Sequence, residues 1–325
     1  MQHSTPAGII VGTTILQVVS AGSVGLRFYT RFWRRSSILV SDWLILAAFV
    51  LATGLTITEY YGIAVKAFAY PISLTFHDAN AANRQLVQLN NLQNVIFLTS
   101  IPALGLIRVS VSLLYWHLFA AVKLRRFLIF WIVLMVAWTL AFFICKVVEC
   151  RGRLDALDPM ERRKYCGACR NSGYVYAGSG ILADLITLLI PLPIVISLSL
   201  PTKQKCLVLA TFMIGALSVG ASIAKGYMYI VSMMNNAKWD AALLLGDFSM
   251  WNLAEVQVGI IAACGMTLRP TLARILPIGR MKAIFRKTNE ESEPKDPTLP
   301  SFVRPERIDS PREGQMSSLG PRNVR

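Results

Sequence analysis

The sequence predicts an all-α membrane protein, a bundle of seven transmembrane helices. Three observations carry that reading. Mean hydropathy is +0.50 and charged residues make up 16% of the chain, well below the quarter usual in soluble domains. Apolar runs long enough to cross a bilayer recur along the chain, with short basic segments between them. Finally, the run at residues 174–200 holds one carboxylate, Asp184, and two prolines, Pro191 and Pro193. A soluble helix rarely accepts two interior prolines, at about 3 kcal/mol each. A membrane helix can, because neighbouring helices and waters re-satisfy the freed carbonyls.

The spans follow in order. Span one covers residues 7–29, with Arg27, Arg31, Arg34 and Arg35 at its far end. It has no basic segment before its apolar run and reads as an uncleaved span rather than a signal peptide. Span two covers 38–63 and opens on Ser41-Asp42-Trp43; a polar loop, 64–88, follows it. Span three, 92–119, carries Arg108 and is followed by Lys123, Arg125 and Arg126. After span four, 127–147, comes a polar loop, 149–173, holding Cys150, Cys166 and Cys169. Span five is the run at 174–200, closed by a short turn, 201–205, with Lys203 and Lys205. Span six, 206–232, carries Lys225, and span seven, 247–268, carries Glu255. The sequence contains no internal repeat.

Seven spans put the termini on opposite sides. The loops after spans one, three and five, together with the tail, are basic, which predicts an N-terminus outside and a C-terminus in the cytosol. The loop after span four disagrees, with Arg151, Arg153, Arg162, Arg163, Lys164 and Arg170, but four basic segments outweigh one. Residues 1–6 form a short outer terminus and 7–277 the membrane domain. In 278–287, Ile278, Met281, Ile284 and Phe285 alternate with basic residues at helical spacing, as in a helix lying in the lipid interface. Residues 288–325 have the Pro, Glu, Ser and Arg composition of a disordered cytosolic tail. The net charge of +15 is concentrated in segments between spans, so membrane lipid rather than nucleic acid is the expected partner.

Four ionisable groups lie at membrane depth: Arg108, Asp184, Lys225 and Glu255. A central charge costs about 2.5–3.5 kcal/mol to insert, so they are expected to face the bundle and pair. At helical rise, Asp184, Lys225 and Glu255 fall in the outer half of their spans and Arg108 slightly inward of its midpoint. That depth suggests Lys225 paired with Asp184 or Glu255, with Arg108 closing the network from below. Such a network is a polar ligand pocket, a switchable ion pair, or a permanent brace fixing helix register. Ala216 and Gly220 are spaced for close helix packing, and Trp43, Trp116, Trp131, Trp138 and Trp251 read as interface anchors. His3, His77 and His117 are too far apart to suggest a metal site.

The order of these features resembles the fungal rhodopsin-like integral membrane proteins, a group that includes the satratoxin-cluster membrane protein and pathogenicity-type receptors. The resemblance runs from about Arg27 to Pro277. It rests on the Arg-rich segment before Ser41-Asp42, LIRVSVSLLYWHLF with Arg108, Cys150 with Cys166, and ADLITLLIPLPIV with Asp184, Pro191 and Pro193. It continues through FMIGALSVGASIAKGYMYIV with Lys225 to the Glu255 segment ending in LRPTL. Three positions depart from the family's habit: Ser41-Asp42 stands where two acids are usual, Arg108 where lysine is usual, and Lys225 where arginine is usual.

The resemblance implies fold and membrane location more than activity. A disulfide between Cys150 and Cys166 is expected: the outer side is oxidising, both lie near ends of adjacent spans, and Cys166 has the family-like spacing to Asp184. Cys169 is the alternative partner. Span seven has no lysine, so the usual retinal attachment point is absent and no cofactor is expected. Span three ends in Tyr115-Trp116-His117 and span seven lacks an Asn-Pro-x-x-Tyr pattern, so no motif specifies a G protein or other cytosolic partner. Three functions fit: a non-enzymatic receptor for an unknown small molecule, an accessory protein or enzyme of a secondary-metabolite cluster, or a transporter. Asp184 and Glu255 have no nucleophile beside them, and the missing repeat counts against a transporter.

Overall fold

The computed structural model describes residues 6–33, 35, 37–68, 79–118, 122–148, 172–192, 202–234 and 241–275. Among the described residues there are seven long helices: α1 (Pro6–Trp33), α2 (Val40–Ala64), α3 (Ala79–Leu118), α4 (Val122–Val148), α5 (Ser172–Leu189), α6 (Thr202–Met234) and α7 (Ala241–Ile275). All seven are long and apolar enough to cross a membrane. The chain is an integral, multi-pass membrane protein with an all-α architecture.

The helices form a ring in chain order, closed where α7 packs against α1. α7 also packs against α2, α3 and α6, and α3 against α2, α4 and α5. In α3 and α7, 61% of the spanning window is buried, against 39% or less in the others, so these two form the centre. Their apolar contacts centre on Ile96, Ala103, Leu104 and Ile107 of α3 with Leu253, Val256 and Ile260 of α7, joined by Ile45, Ala48 and Ala52 of α2. Outward, α4 exposes Ile129, Phe130, Val133, Leu140 and Ile144. A contiguous apolar exterior of this kind belongs against lipid.

Three local features differ from the sequence reading. The polar loop 64–88 is partly helical: α3 begins at Ala79, where an Ala- and Gln-rich stretch favours helix despite its polarity. The run 174–200 is not one helix. α5 stops at Leu189, with a last turn bond from Ile190 N–H to the Ile186 carbonyl at 3.0 Å. Pro191 has no N–H, clashes with the carbonyl four residues back and disfavours α geometry at Ile190. Residues 202–205, read as a turn, already belong to α6. By contrast, α3 continues through Pro102.

α2 ends in a Schellman motif. Lys66 adopts φ 59, its N–H bonds to the Ile63 carbonyl at 3.0 Å, and the Ala67 N–H bonds to the Gly62 carbonyl at 2.8 Å. Phe68 folds back over the helix end. A Cβ at Gly62 would stand 2.3 Å from the Phe68 ring, so any side chain there must displace that ring.

Close packing of α6 does not use Gly220, which has open space around its would-be Cβ. The tight contacts are at Gly215 against Leu188 and Gly226 against Ile181, a different face of the same helix. Cys150, Cys166, Cys169, the basic loop around them, Pro193, the segment 278–287 and the tail lie outside the described residues.

Candidate functional site

Four helices each bring one charge to the centre of the bundle. Arg108 of α3 donates from Nε to Oδ1 of Asp184 on α5 at 2.8 Å and from Nη2 to the Gly180 carbonyl at 3.2 Å. Its Nη2 also stands 3.8 Å from Oε1 of Glu255 on α7. Lys225 of α6 pairs with Oε2 of Glu255. Ser222, one turn before Lys225, donates to Oδ2 of Asp184 at 2.5 Å. Of the alternatives left open by the sequence, Lys225 therefore takes Glu255, and Asp184 is held by Arg108. Arg108 is the link, because it reaches both carboxylates. Two cations and two anions balance, as burial demands: the four side chains are 13% exposed or less.

Aromatic rings wall the network. The Arg108 guanidinium lies 4.8 Å from the Trp138 ring centroid and Lys225 Nζ lies 5.2 Å from that of Tyr176. Trp138 stacks on Tyr176 at 5.5 Å and donates its indole N–H to Ser179 Oγ at 3.0 Å. Trp138 is thus part of the charged centre rather than an interface anchor. Trp131 is likewise buried in the core, at 5% exposure. Its sequence position near a span end did not reveal which way it faces. Trp43 stays exposed.

The rings continue through Phe97 of α3, which meets Tyr176, Tyr229 of α6 and Phe248 of α7 at 6.1, 6.5 and 5.3 Å. Lys146 Nζ stands 4.9 Å from the Phe97 ring. One turn from Phe97 on α3 is Gln93, and one turn from Phe248 on α7 is Asn252. Both are buried, and among the described residues none of their four side-chain amide atoms has a hydrogen-bond partner. Arg108 Nη1 is also buried without one. Unsatisfied buried polar atoms are rare in native proteins, and Gln93, Arg108 and Asn252 lie on α3 and α7, two of the four helices that carry the charges.

Three further polar contacts were not legible as such. Arg27, read as part of the basic end of span one, is 1% exposed. It donates to Asp42 Oδ1 at 2.7 Å and to the Ala263 carbonyl of α7 at 3.0 Å. Asp42 also accepts from Arg31 at 3.2 Å and from the Leu39 N–H at 3.0 Å, fastening α1, α2 and α7. Gln17 of α1 donates to Thr53 at 3.0 Å, accepts from Thr56 at 3.0 Å, and meets the Gln257 amide of α7. Glu59 of α2 is bonded to Ser249 of α7 at 2.9 Å. The signal for Glu59 was available: an acid inside an apolar run calls for a partner, yet no basic residue at matching depth pointed to one. Among the described residues, no group of three His, Cys, Asp or Glu side chains could hold a metal ion.

Fold and centre together define a seven-helix integral membrane protein built around a neutral, aromatic-walled ionic network. Residues 26–274 match the fungal rhodopsin domain, and the chain belongs to that family. It is also similar to the polyenoic acids biosynthesis gene cluster protein Ba17b of Metarhizium anisopliae, 23% identical over 317 residues that cover 92% of this chain and 81% of that protein. No solved structure matches the chain.

Proposed function

We propose that this protein is a non-enzymatic membrane sensor for a small molecule, with its N-terminus outside and its C-terminus in the cytosol. One observation carries the reading. The charged centre holds α3, α5, α6 and α7 through partners on different helices, and it borders a ring cluster with buried amides left unpaired. A polar ligand competing for Arg108 or Glu255 would change which helices are held together. That is the differential interaction a receptor needs between two states. A catalytic role has less support, because the carboxylates and cations of the centre are consumed by one another.

A second reading is favoured by the relative from a polyenoic acid cluster: an accessory protein of secondary-metabolite biosynthesis. A deletion strain separates the two. The sensor reading expects an unchanged metabolite profile and a lost transcriptional response to added metabolites. Loss of a metabolite from the profile, restored by the wild-type gene, would replace the sensor with the biosynthetic role.

A further inference from the structure

Glu59 is a buried carboxylate outside the ionic centre. It is 1% exposed, and its partner is the Ser249 hydroxyl at 2.9 Å. Asp42, Asp184 and Glu255 each stand within 4 Å of an arginine or lysine. Among the described residues, no cation stands within that distance of Glu59. An ionised carboxylate buried without a counter-charge is so unfavourable that the group takes a proton instead.

The surroundings supply no other compensation. On α1, which packs against α2, no titratable side chain precedes Arg27. On α3 there is none between Gln85 and Ile107. On α7 the nearest are Asp247 and Glu255, both acids, which oppose a further negative charge. On α2 itself Tyr60 adjoins, its hydroxyl shared with Thr14 at 2.7 Å, and Lys66 lies past the helix end.

A protonated Glu59 would also complete the contacts of Ser249. Ser249 Oγ lies 2.9 Å from Glu59 Oε1 and also 2.9 Å from the Gly246 carbonyl. Both of those oxygens accept when Glu59 is ionised, and a hydroxyl has one proton to give. Both contacts become hydrogen bonds when Glu59 carries a proton, donates it to Ser249 Oγ, and Ser249 donates to Gly246.

We propose that Glu59 is a proton-binding site at the contact of α2 with α7, and that the protonated form holds this packing. Deprotonation breaks the carboxyl O–H bond, passes the proton to water and leaves one negative charge between the helices. The α2–α7 contact must then open to admit water or a cation. This proposal is independent of the sensor reading.

The test uses the full chain in lipid nanodiscs. Infrared spectroscopy at neutral pH should give a carboxylic C=O band that shifts in D2O and is missing in Glu59→Gln, a neutral isostere. Thermal midpoints should fall as pH rises in the wild type and stay level in Glu59→Gln. No Glu59-dependent carboxylic band, or identical pH curves for the two proteins, would overturn the proposal. So would a midpoint raised by sodium chloride but not by N-methylglucamine chloride and insensitive to sodium in Glu59→Gln, which assigns the site to sodium. Should Glu59→Gln fail to fold, Ser249→Ala serves instead: it removes the acceptor, and an unshifted carboxylic band there would also refute the assignment.

Discussion

Removing Glu255 should damage this protein more than removing Lys225 or Asp184. Glu255→Leu leaves the Lys225 ammonium, 5% exposed, with no carboxylate within 4 Å among the described residues. Arg108 keeps Asp184 at 2.8 Å. Breaking a buried pair from one side costs about 3–5 kcal/mol, and Glu255→Leu should sit at the upper end. Lys225→Met is milder, because Glu255 retains Arg108 at 3.8 Å. At an effective dielectric of about 20 that contact carries about 4 kcal/mol of attraction, so the cost should fall near about 3 kcal/mol. The double change Lys225→Met with Glu255→Leu removes a whole pair and leaves Arg108–Asp184 intact; it should return to within about 1 kcal/mol of wild type, because apolar replacement of a buried pair is often neutral. Lys225→Met with Asp184→Leu also balances charge but leaves Arg108 facing Glu255 across a longer gap, and should recover less. Fluorescence-detected size exclusion of a tagged protein gives folded yield, and a heating series gives apparent stability. If Lys225→Met with Asp184→Leu recovers and Lys225→Met with Glu255→Leu does not, the pairing described above is wrong.

Three other outcomes are expected. A glycosylation tag at residue 1 should be modified and one at the tail should not; the reverse pattern inverts the proposed orientation. Thiol labelling without reductant should spare Cys150 and Cys166 and modify both after reduction, whereas labelling of both beforehand excludes their disulfide. Gly62→Ala should lower thermal stability by about 1–3 kcal/mol, the usual range for overpacking, since its Cβ would meet the Phe68 ring at 2.3 Å; a variant as stable as wild type would mean that the Phe68 ring moves aside at no cost and would refute the tight contact.

The seven helices were legible because lipid imposes a coarse rule. A span must be long and apolar whatever it packs against, so composition alone placed one span on each of α1 to α7. Helix ends were less legible, since they depend on backbone chemistry that hydropathy averages away. Ala79 to Gln88 is polar yet helical, and Pro191 ends α5 inside an apolar run. The charged centre was legible as a set of residues, because Arg108, Asp184, Lys225 and Glu255 stand out against apolar neighbours. Their pairing was not, because depth along a helix fixes one coordinate and leaves rotation about the axis undetermined. The same lack of rotational information hid Trp138, which faces Arg108 rather than lipid, and misplaced the close contact of α6 at Gly220 instead of Gly215 and Gly226. Arg27 was hidden differently: a basic residue at a span end fits the positive-inside rule, and nothing in the sequence says that it turns inward to Asp42.

The placement of α7 explains why its polar residues serve two sets of partners. Phe248, Asn252, Glu255 and Gly259 follow one another at intervals of three or four residues and so share one face. Phe248 meets Phe97 of α3, Glu255 meets Lys225 of α6, and Gly259 borders Ile107 of α3 and Ser218 of α6. The contacts of Ser249, Gln257 and the Ala263 carbonyl run the other way, to Glu59 of α2, Gln17 of α1 and Arg27 of α1. α7 is therefore the element through which the α1–α2 side and the α3–α6 side touch the same backbone. A charge change on either face acts on the helix that the other face also holds. Under the proposed sensor role, a ligand that loosened Glu255 from Lys225 would release α7 on one side while Arg27 still anchored it at Ala263. A tilt about that anchor, rather than a translation of the whole helix, is the motion these contacts permit.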